Sequence, residues 1–251
     1  MTDSRIAVIT GGGTGIGAAV AHSLAHSCSQ VVLVGRRQDR LDAMASGLTD
    51  AHPGVTVHGR SVDLSDLDSV KAFIDWAHQE LPMVDILVNN AGSAQPRIEA
   101  GLTSVASAWE STWRANTLSS VLVTEGLKDF LTRPGGRIIM IGSFAAELGT
   151  GSPAYASAKG ALQAYAISLM RELGSDGITA NVVAPGFTDG TELLAGRISP
   201  ERRERLLTSI SARRPGTPAE IASLVDYLAS PQAGFVNGQL ITANGGTYLS
   251  G

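Results

Sequence analysis

A chain of 251 residues, with 43% apolar and 17% charged side chains, is long enough to bury a sizeable core and has an ordinary globular balance. Its net charge of −4 supplies no basic field for nucleic acid or an anionic membrane surface, and no apolar run approaches the roughly 20 residues of a membrane span. The single cysteine, Cys28, excludes an intramolecular disulfide and reads as a packing residue in a helix-like run.

Short β-branched runs alternate with longer helix-like stretches. The predicted strands are Ile6–Thr10, Val31–Val34, Val55–His58, Ile86–Asn89, Arg137–Ile141, Thr179–Val183 and Gln239–Thr242. Each reads as a nearly continuous apolar run, the pattern of a strand buried on both faces. Helix starts are marked by Ser65-Asp66-Leu67-Asp68, Ser152-Pro153, Ser199-Pro200 and the capping box Thr217-Pro218-Ala219-Glu220. Pro134-Gly135-Gly136 ends a helix before the strand at Arg137. The order predicts an open parallel sheet covered by helices on both faces. No low-complexity linker or repeat interrupts it, so residues 1–251 read as one domain. The opening Met1–Gly12 has no charged stretch followed by an apolar core, so the expected location is cytoplasmic.

The first strand runs into Gly11-Gly12-Gly13-Thr14-Gly15-Ile16-Gly17, and a helical run follows. Glycines let a backbone turn sharply and approach a pyrophosphate, and the helix N-terminus offers unpaired N–H groups and a positive dipole end. Gly11, Gly13, Thr14, Gly15, Ile16 and Gly17 are therefore candidate dinucleotide contacts. The fold class is then α/β, a single-domain Rossmann-type doubly wound sheet of about seven strands. The second strand ends Gly35-Arg36-Arg37, with guanidinium groups where an NAD site would place a carboxylate. Guanidinium suits a 2′-phosphate, which makes NADP(H) the expected cofactor. No metal is expected.

Tyr155-Ala156-Ser157-Ala158-Lys159 opens a helical stretch. Positions i and i+4 share a face, so Tyr155 and Lys159 can meet in one site. A phenol titrates near 10, and an adjacent ammonium would lower that value and make it usable as a general acid or base. Asn116 falls in a helical pattern with Trp109, Trp113, Val123 and Leu127, where an apolar residue would be expected, so it needs a polar partner.

Thr10-Gly11-x-x-x-Gly15-x-Gly17, Asn89-Asn90-Ala91-Gly92, Tyr155-x-x-x-Lys159 and Pro185-Gly186, in that order, resemble the short-chain dehydrogenase/reductase family over about Ile6–Gly246. The resemblance implies an oxidoreductase that moves hydride between a nicotinamide and a carbonyl carbon. It implies that Tyr155 exchanges the proton and that Lys159 lowers its pKa and bonds the ribose hydroxyls. Ser143 would hold the substrate oxygen, and Asn116 a water linking Lys159 to solvent. Asn89, Ala91 and Gly92 would lie beside the cofactor, with Asn89 stabilising the sheet. Asp63 and Leu64 would meet the adenine, and Pro185-Gly186 would form the turn beneath the nicotinamide. Ser143 lies 12 residues before Tyr155, one fewer than in many members. The family's frequent Thr five residues after the Pro is Gly190 here, so Thr188 and Thr191 become the candidates for the carboxamide.

The nearest flavour is that of 3-oxoacyl-thioester reductases and related ketoreductases, acting on a small-molecule carbonyl or acyl-thioester substrate. An acyl-carrier-protein partner would need a basic docking surface. Arg133 and Arg137 are candidates for it, but Asp176 stands where some such reductases carry a basic residue, so that partner is not favoured. A substrate lid is expected at about 187–215, carrying Leu193, Leu194 and Ile198. Ala94–Gly101 and Ala145–Ser152 would form the other walls. A homotetramer follows from the family, with interfaces at the helices of Asn116 and Tyr155 and at Phe235–Tyr248. The competing readings are a catalytically silent NADP-binding regulator and an NAD-linked alcohol dehydrogenase.

Overall fold

The computed structural model describes residues 4–94, 99–191 and 199–247. Seven parallel strands form one sheet: β1 (Ile6–Thr10), β2 (Gln30–Gly35), β3 (Thr56–Ser61), β4 (Ile86–Asn89), β5 (Arg137–Ile141), β6 (Thr179–Pro185) and β7 (Leu240–Ala243). Their spatial order is β3-β2-β1-β4-β5-β6-β7, and every neighbouring pair is parallel. The order reverses between β1 and β4, and such a reversal opens a crevice outside the carboxyl ends of the strands.

Alternation along the strands sends successive side chains to opposite faces. Ile6 and Val8 join one core with Leu87, Ile138, Met140 and Val182. That core is covered by α3 (Leu67–Glu80), α5 (Ser119–Leu127) and α7 (Pro153–Leu173), which contribute Phe73, Leu127, Leu162 and Leu169. Ala7 and Ile9 join the other core with Val31, Leu33, Val88 and Ile139. It is covered by α1 (Gly15–Leu24), α2 (Gln38–Ala51) and α9 (Pro218–Ala229), through Leu24, Leu48 and Val225. Cys28 lies wholly inside this second core, where burial pushes its thiol up to about 11.

The remaining helices are α4 (Leu102–Trp113), α6 (Ala145–Leu148) and α8 (Pro200–Ser209). The Ser152, Ser199 and Thr217 hydroxyls accept from Tyr155, Arg202 and Glu220 amides, and the Thr217 box is complete. At α3 the cap is Asp66, not Ser65, with its carboxylate accepting from the Ser69 amide at 2.8 Å. β3 differs from a fully buried strand: it is the sheet edge, and half of its residues are exposed.

A π-helical turn, Arg114–Leu118, joins α4 to α5. The extra residue in that turn shifts the buried stripe. Trp109 and Trp113 are therefore 41% and 44% exposed, whereas Asn116, Val123 and Leu127 are buried. The expected common stripe is broken at this turn. Among the described residues, no helix is long and apolar enough to cross a membrane, and no group of three or more His, Cys, Asp or Glu residues is arranged to hold a metal ion.

Candidate active site

A cleft of ≈ 530 Å³ runs along the carboxyl ends of the strands, from β2 across β1 and β4 to β5 and β6. Its floor is the glycine turn. Gly11 takes φ +66°, and a Cβ on Gly17 would stand 2.2 Å from the Gly11 carbonyl oxygen, so both positions require glycine. Thr14 caps α1 in extended conformation with no side-chain hydrogen bond to the helix, which leaves the first amides for an anion. Gly11, Gly13, Thr14, Gly15 and Ile16 line the cleft, and Gly17 packs behind Gly11.

The turn is fastened to β4. Thr10 Oγ1 accepts from the Asn90 and Ala91 amides, both at 3.0 Å, and the Asn90 side chain donates to the Thr10 and Gly11 carbonyls at 2.9 and 3.2 Å. Asn90, Ala91 and Gly92 line the cleft. Asn89 does not: it is buried and donates to Thr124 Oγ1 at 2.8 Å, tying β4 to α5. Asn90 is the residue of this motif that reasoning on the sequence passed over. Its signal is its place directly after a strand facing the glycine turn.

At the β2 end the rim carries Arg36, Arg37 and Arg40, with Asp63, Leu64 and Ser65 opposite. The Ser65 hydroxyl and amide hold the Asp63 carboxyl below its ordinary range, and the Arg36 charge adds to that. Arg40 was not foreseen. It stands over the glycine turn, its Cβ 3.3 Å from where a Cβ on Gly13 would lie. It adds a third basic side chain to this rim. The sequence signal was a third basic residue close after Arg36-Arg37, in the first turn of α2.

At the other end Ser143, Tyr155 and Lys159 converge from β5 and α7. Ser143 and Tyr155 line the same end of the cleft despite the shortened connection between them. Lys159 is buried and donates from Nζ to the Ile141 carbonyl at 2.8 Å. Burial pushes the Lys159 ammonium down to about 8. Burial also raises the Tyr155 phenol, with only the Ser143 hydrogen bond opposing. The expected lowering by Lys159 is therefore not what the protein's own groups produce. Desolvation dominates at the phenol, and the ammonium bonds the Ile141 carbonyl.

Asn116 is fully buried behind this end. Its amide donates to the Ser93 and Thr112 carbonyls at 3.0 and 2.9 Å, and its oxygen accepts from the Ser93 amide at 3.2 Å. A Cβ on Gly92 would stand 2.7 Å from Asn116 Oδ1 and 3.3 Å from Lys159 Nζ, so both side chains reach the same glycine. Thr117 donates to the Ala158 carbonyl at 2.7 Å and binds the π turn to α7. Pro185, Gly186, Thr188 and Thr191 close the cleft beyond β6. Leu193, Leu194 and Ile198 of the expected lid, residues 95–98 of one expected wall, and Tyr248 lie outside the described residues.

The basic surface expected of Arg133 and Arg137 does not form. Arg137 is buried and donates to the Gly136 and Ser230 carbonyls. Arg133 is bound by Asp176 at 3.1 Å and by the carbonyls of Lys128, Asp129 and Leu131. Both precede or open β5, at the amino end of the sheet and opposite the cleft.

Comparison with known proteins agrees with this geometry. The short chain dehydrogenase family matches residues 5–202. The 3-oxoacyl-(acyl-carrier-protein) reductase FabG of Escherichia coli is 35% identical, over 98% of each chain. Two solved structures superpose over 98% of each chain with a TM-score of 0.87. They are a Serratia marcescens short-chain dehydrogenase/reductase at 31% identity, and a Burkholderia cenocepacia short chain dehydrogenase, in complex with NADP, at 27%. With the switch-point cleft, the glycine turn and the Ser143, Tyr155 and Lys159 cluster in one domain, the chain belongs to the short-chain dehydrogenase family of oxidoreductases.

Proposed function

We propose that the protein is an NADP(H)-dependent ketoreductase acting on a small-molecule carbonyl or acyl thioester. The observation that carries this reading is one continuous cleft with Arg36, Arg37 and Arg40 at one end and Ser143, Tyr155 and Lys159 at the other. The residues fit the cofactor. The first amides of α1 would hold the pyrophosphate, the three arginines a 2′-phosphate, and Asp63 with Leu64 the adenine. Ala91 and Gly92 offer close backbone approach, and Pro185, Gly186, Thr188 and Thr191 would hold the nicotinamide amide. When bound, the nicotinamide supplies or accepts the hydride.

The chain's own groups manage the proton. Ser143 donates to the substrate oxygen and orients it, and Tyr155 delivers a proton to that oxygen in reduction or removes it in oxidation. Lys159 would bond the ribose hydroxyls, and in the loaded site its charge together with that of an oxidised nicotinamide would favour the phenolate against desolvation. Asn116 holds a water that connects Lys159 to solvent. The segment at about 187–215 acts as the substrate lid. The neutralised Arg133 and buried Arg137 favour a free small substrate over one carried by an acidic protein. The working unit is a cytoplasmic homotetramer. Leu102, Trp109 and Trp113 exposed along α4, and the fully exposed Phe235, supply apolar surface for two interfaces.

The test is NADPH consumption against 3-oxoacyl thioesters, diketones, quinones and cyclic ketones, with Tyr155→Phe as control. Turnover with one class, falling about 10²–10⁴-fold in the variant, is the expected result. Failure to bind NADPH, or turnover undiminished in the variant, would refute the reading.

A further inference from the structure

The turn after β6 is held from outside the cleft by a second group of residues. Arg203, on α8, donates from Nη1 and Nη2 to the two carboxylate oxygens of Asp189 at 2.7 and 2.6 Å. The same guanidinium lies 5.3 Å above the ring of Phe187. Two parallel charge-assisted bonds plus a ring contact fix both distance and orientation, which a single ion pair does not. The turn is also bridged to Gly216: the Asp189 amide donates to the Gly216 carbonyl at 3.0 Å, and the Gly216 amide to the Phe187 carbonyl at 2.9 Å.

What this clamp holds is part of the cleft. Thr188 and Thr191 line it, and Thr191 Oγ1 donates to the Thr188 carbonyl at 3.2 Å. Across the cleft, a Cβ on Gly15 would stand 3.7 Å from both the Gly190 carbonyl oxygen and the Thr191 Cα. The turn therefore arches back to the glycine turn at the start of α1. The clamp itself sits beyond β6, four strand steps or roughly 19 Å from the β2 end, so it reaches the arginine rim only through the glycine turn.

We propose that Asp189 and Arg203 are positioning residues that hold the Pro185–Thr191 turn over the nicotinamide half of the bound dinucleotide, and so set the rate at which it is released. This rests on the reading of the cleft as a dinucleotide site. The pair is partly exposed, with 43% and 44% of the two side chains accessible, so its effect on global stability is small. Its effect is on the turn, where a bias of this size changes an opening equilibrium about five-fold.

The experiment uses the full chain with Asp189→Asn, Arg203→Gln and the double variant. Stopped-flow displacement gives the NADPH release rate, and competition gives the affinity for adenosine 2′,5′-bisphosphate, which lacks the nicotinamide half. Each single variant is expected to release NADPH about five-fold faster, with bisphosphate affinity within about two-fold of wild type. The double variant is expected to match the singles, because either change alone undoes the pair. Wild-type release rates in both singles, multiplied effects in the double, or bisphosphate affinity falling in step with NADPH affinity each overturn the proposal. A wild-type chain that binds neither NADPH nor NADH removes the dinucleotide reading itself, and the clamp's role with it.

Discussion

Replacing Lys159 with Met should make the protein more stable at neutral pH while abolishing turnover. The ammonium is buried, and its pKa falls from an ordinary 10.5 to about 8 through desolvation. That difference corresponds to roughly 3 kcal/mol against the charged form in the folded state. The variant also loses the Nζ donor to the Ile141 carbonyl, leaving an unpaired oxygen at about 1–2 kcal/mol. The net expectation at pH 7 is a gain of about 1–2 kcal/mol, or roughly 2–8 °C in Tm for a chain of this size. Below about pH 8 both folded and unfolded wild type hold the proton, and the penalty is complete. Between about 8 and 10.5 the unfolded chain holds a proton that the folded chain has released, so wild-type stability rises with pH. The advantage of Lys159→Met should therefore shrink across that window. Urea denaturation of both proteins at roughly pH 7, 8.5 and 9.5 reads the difference directly, since other titrating groups are common to both. A variant less stable than wild type at pH 7, or an advantage constant from pH 7 to 9.5, would refute the desolvation argument.

Arg36→Ala and Arg40→Ala should each weaken NADPH binding about ten-fold while leaving NADH within about two-fold, measured by fluorescence titration; equal losses for both cofactors would remove the 2′-phosphate assignment. Asp66→Ala should lower stability by about 1 kcal/mol through loss of the α3 cap, with NADPH binding and turnover unchanged. Gly92→Ala places a methyl 2.7 Å from Asn116 Oδ1 and 3.3 Å from Lys159 Nζ. It should destabilise the fold by about 1–3 kcal/mol in chemical denaturation, and a neutral outcome would mean that this corner yields more easily than its geometry implies.

The sheet was legible because its central strands are apolar on both faces, and because Ser152, Ser199 and Thr217 mark helix starts by local chemistry. What escaped depends on partners distant in sequence. β3 runs past its predicted end at His58 because Arg60 and Ser61 pair with Val34 and Gly35 of β2. Trp109 and Trp113 were grouped with Asn116 on a regular 3.6-residue period, and the π turn breaks that period. The glycine turn, Ser143, Tyr155 and Lys159 could be placed from motif order, and they meet in the cleft. The position of Arg40 over Gly13 required knowing how α2 lies against the glycine turn. The direction of the Tyr155 and Lys159 pKa changes required burial, which a motif does not carry.

The Thr10–Asn90 tie also has a kinetic meaning. Four hydrogen bonds join the exit of β1 to the exit of β4, so these two strand ends cannot separate without breaking them together. The seat proposed for the dinucleotide is thus built before any ligand arrives, and little ordering entropy would be lost there on binding. The far bank, Pro185–Thr191, is held by the Phe144 amide on the Pro185 carbonyl, the Gly186 amide on the Ala243 carbonyl, two backbone bonds with Gly216 and the Asp189–Arg203 pair. A dinucleotide bound on such a seat would complete part of the surface that a second reactant meets. Side-chain changes on the Pro185–Thr191 bank leave the four bonds of the Thr10–Asn90 tie intact.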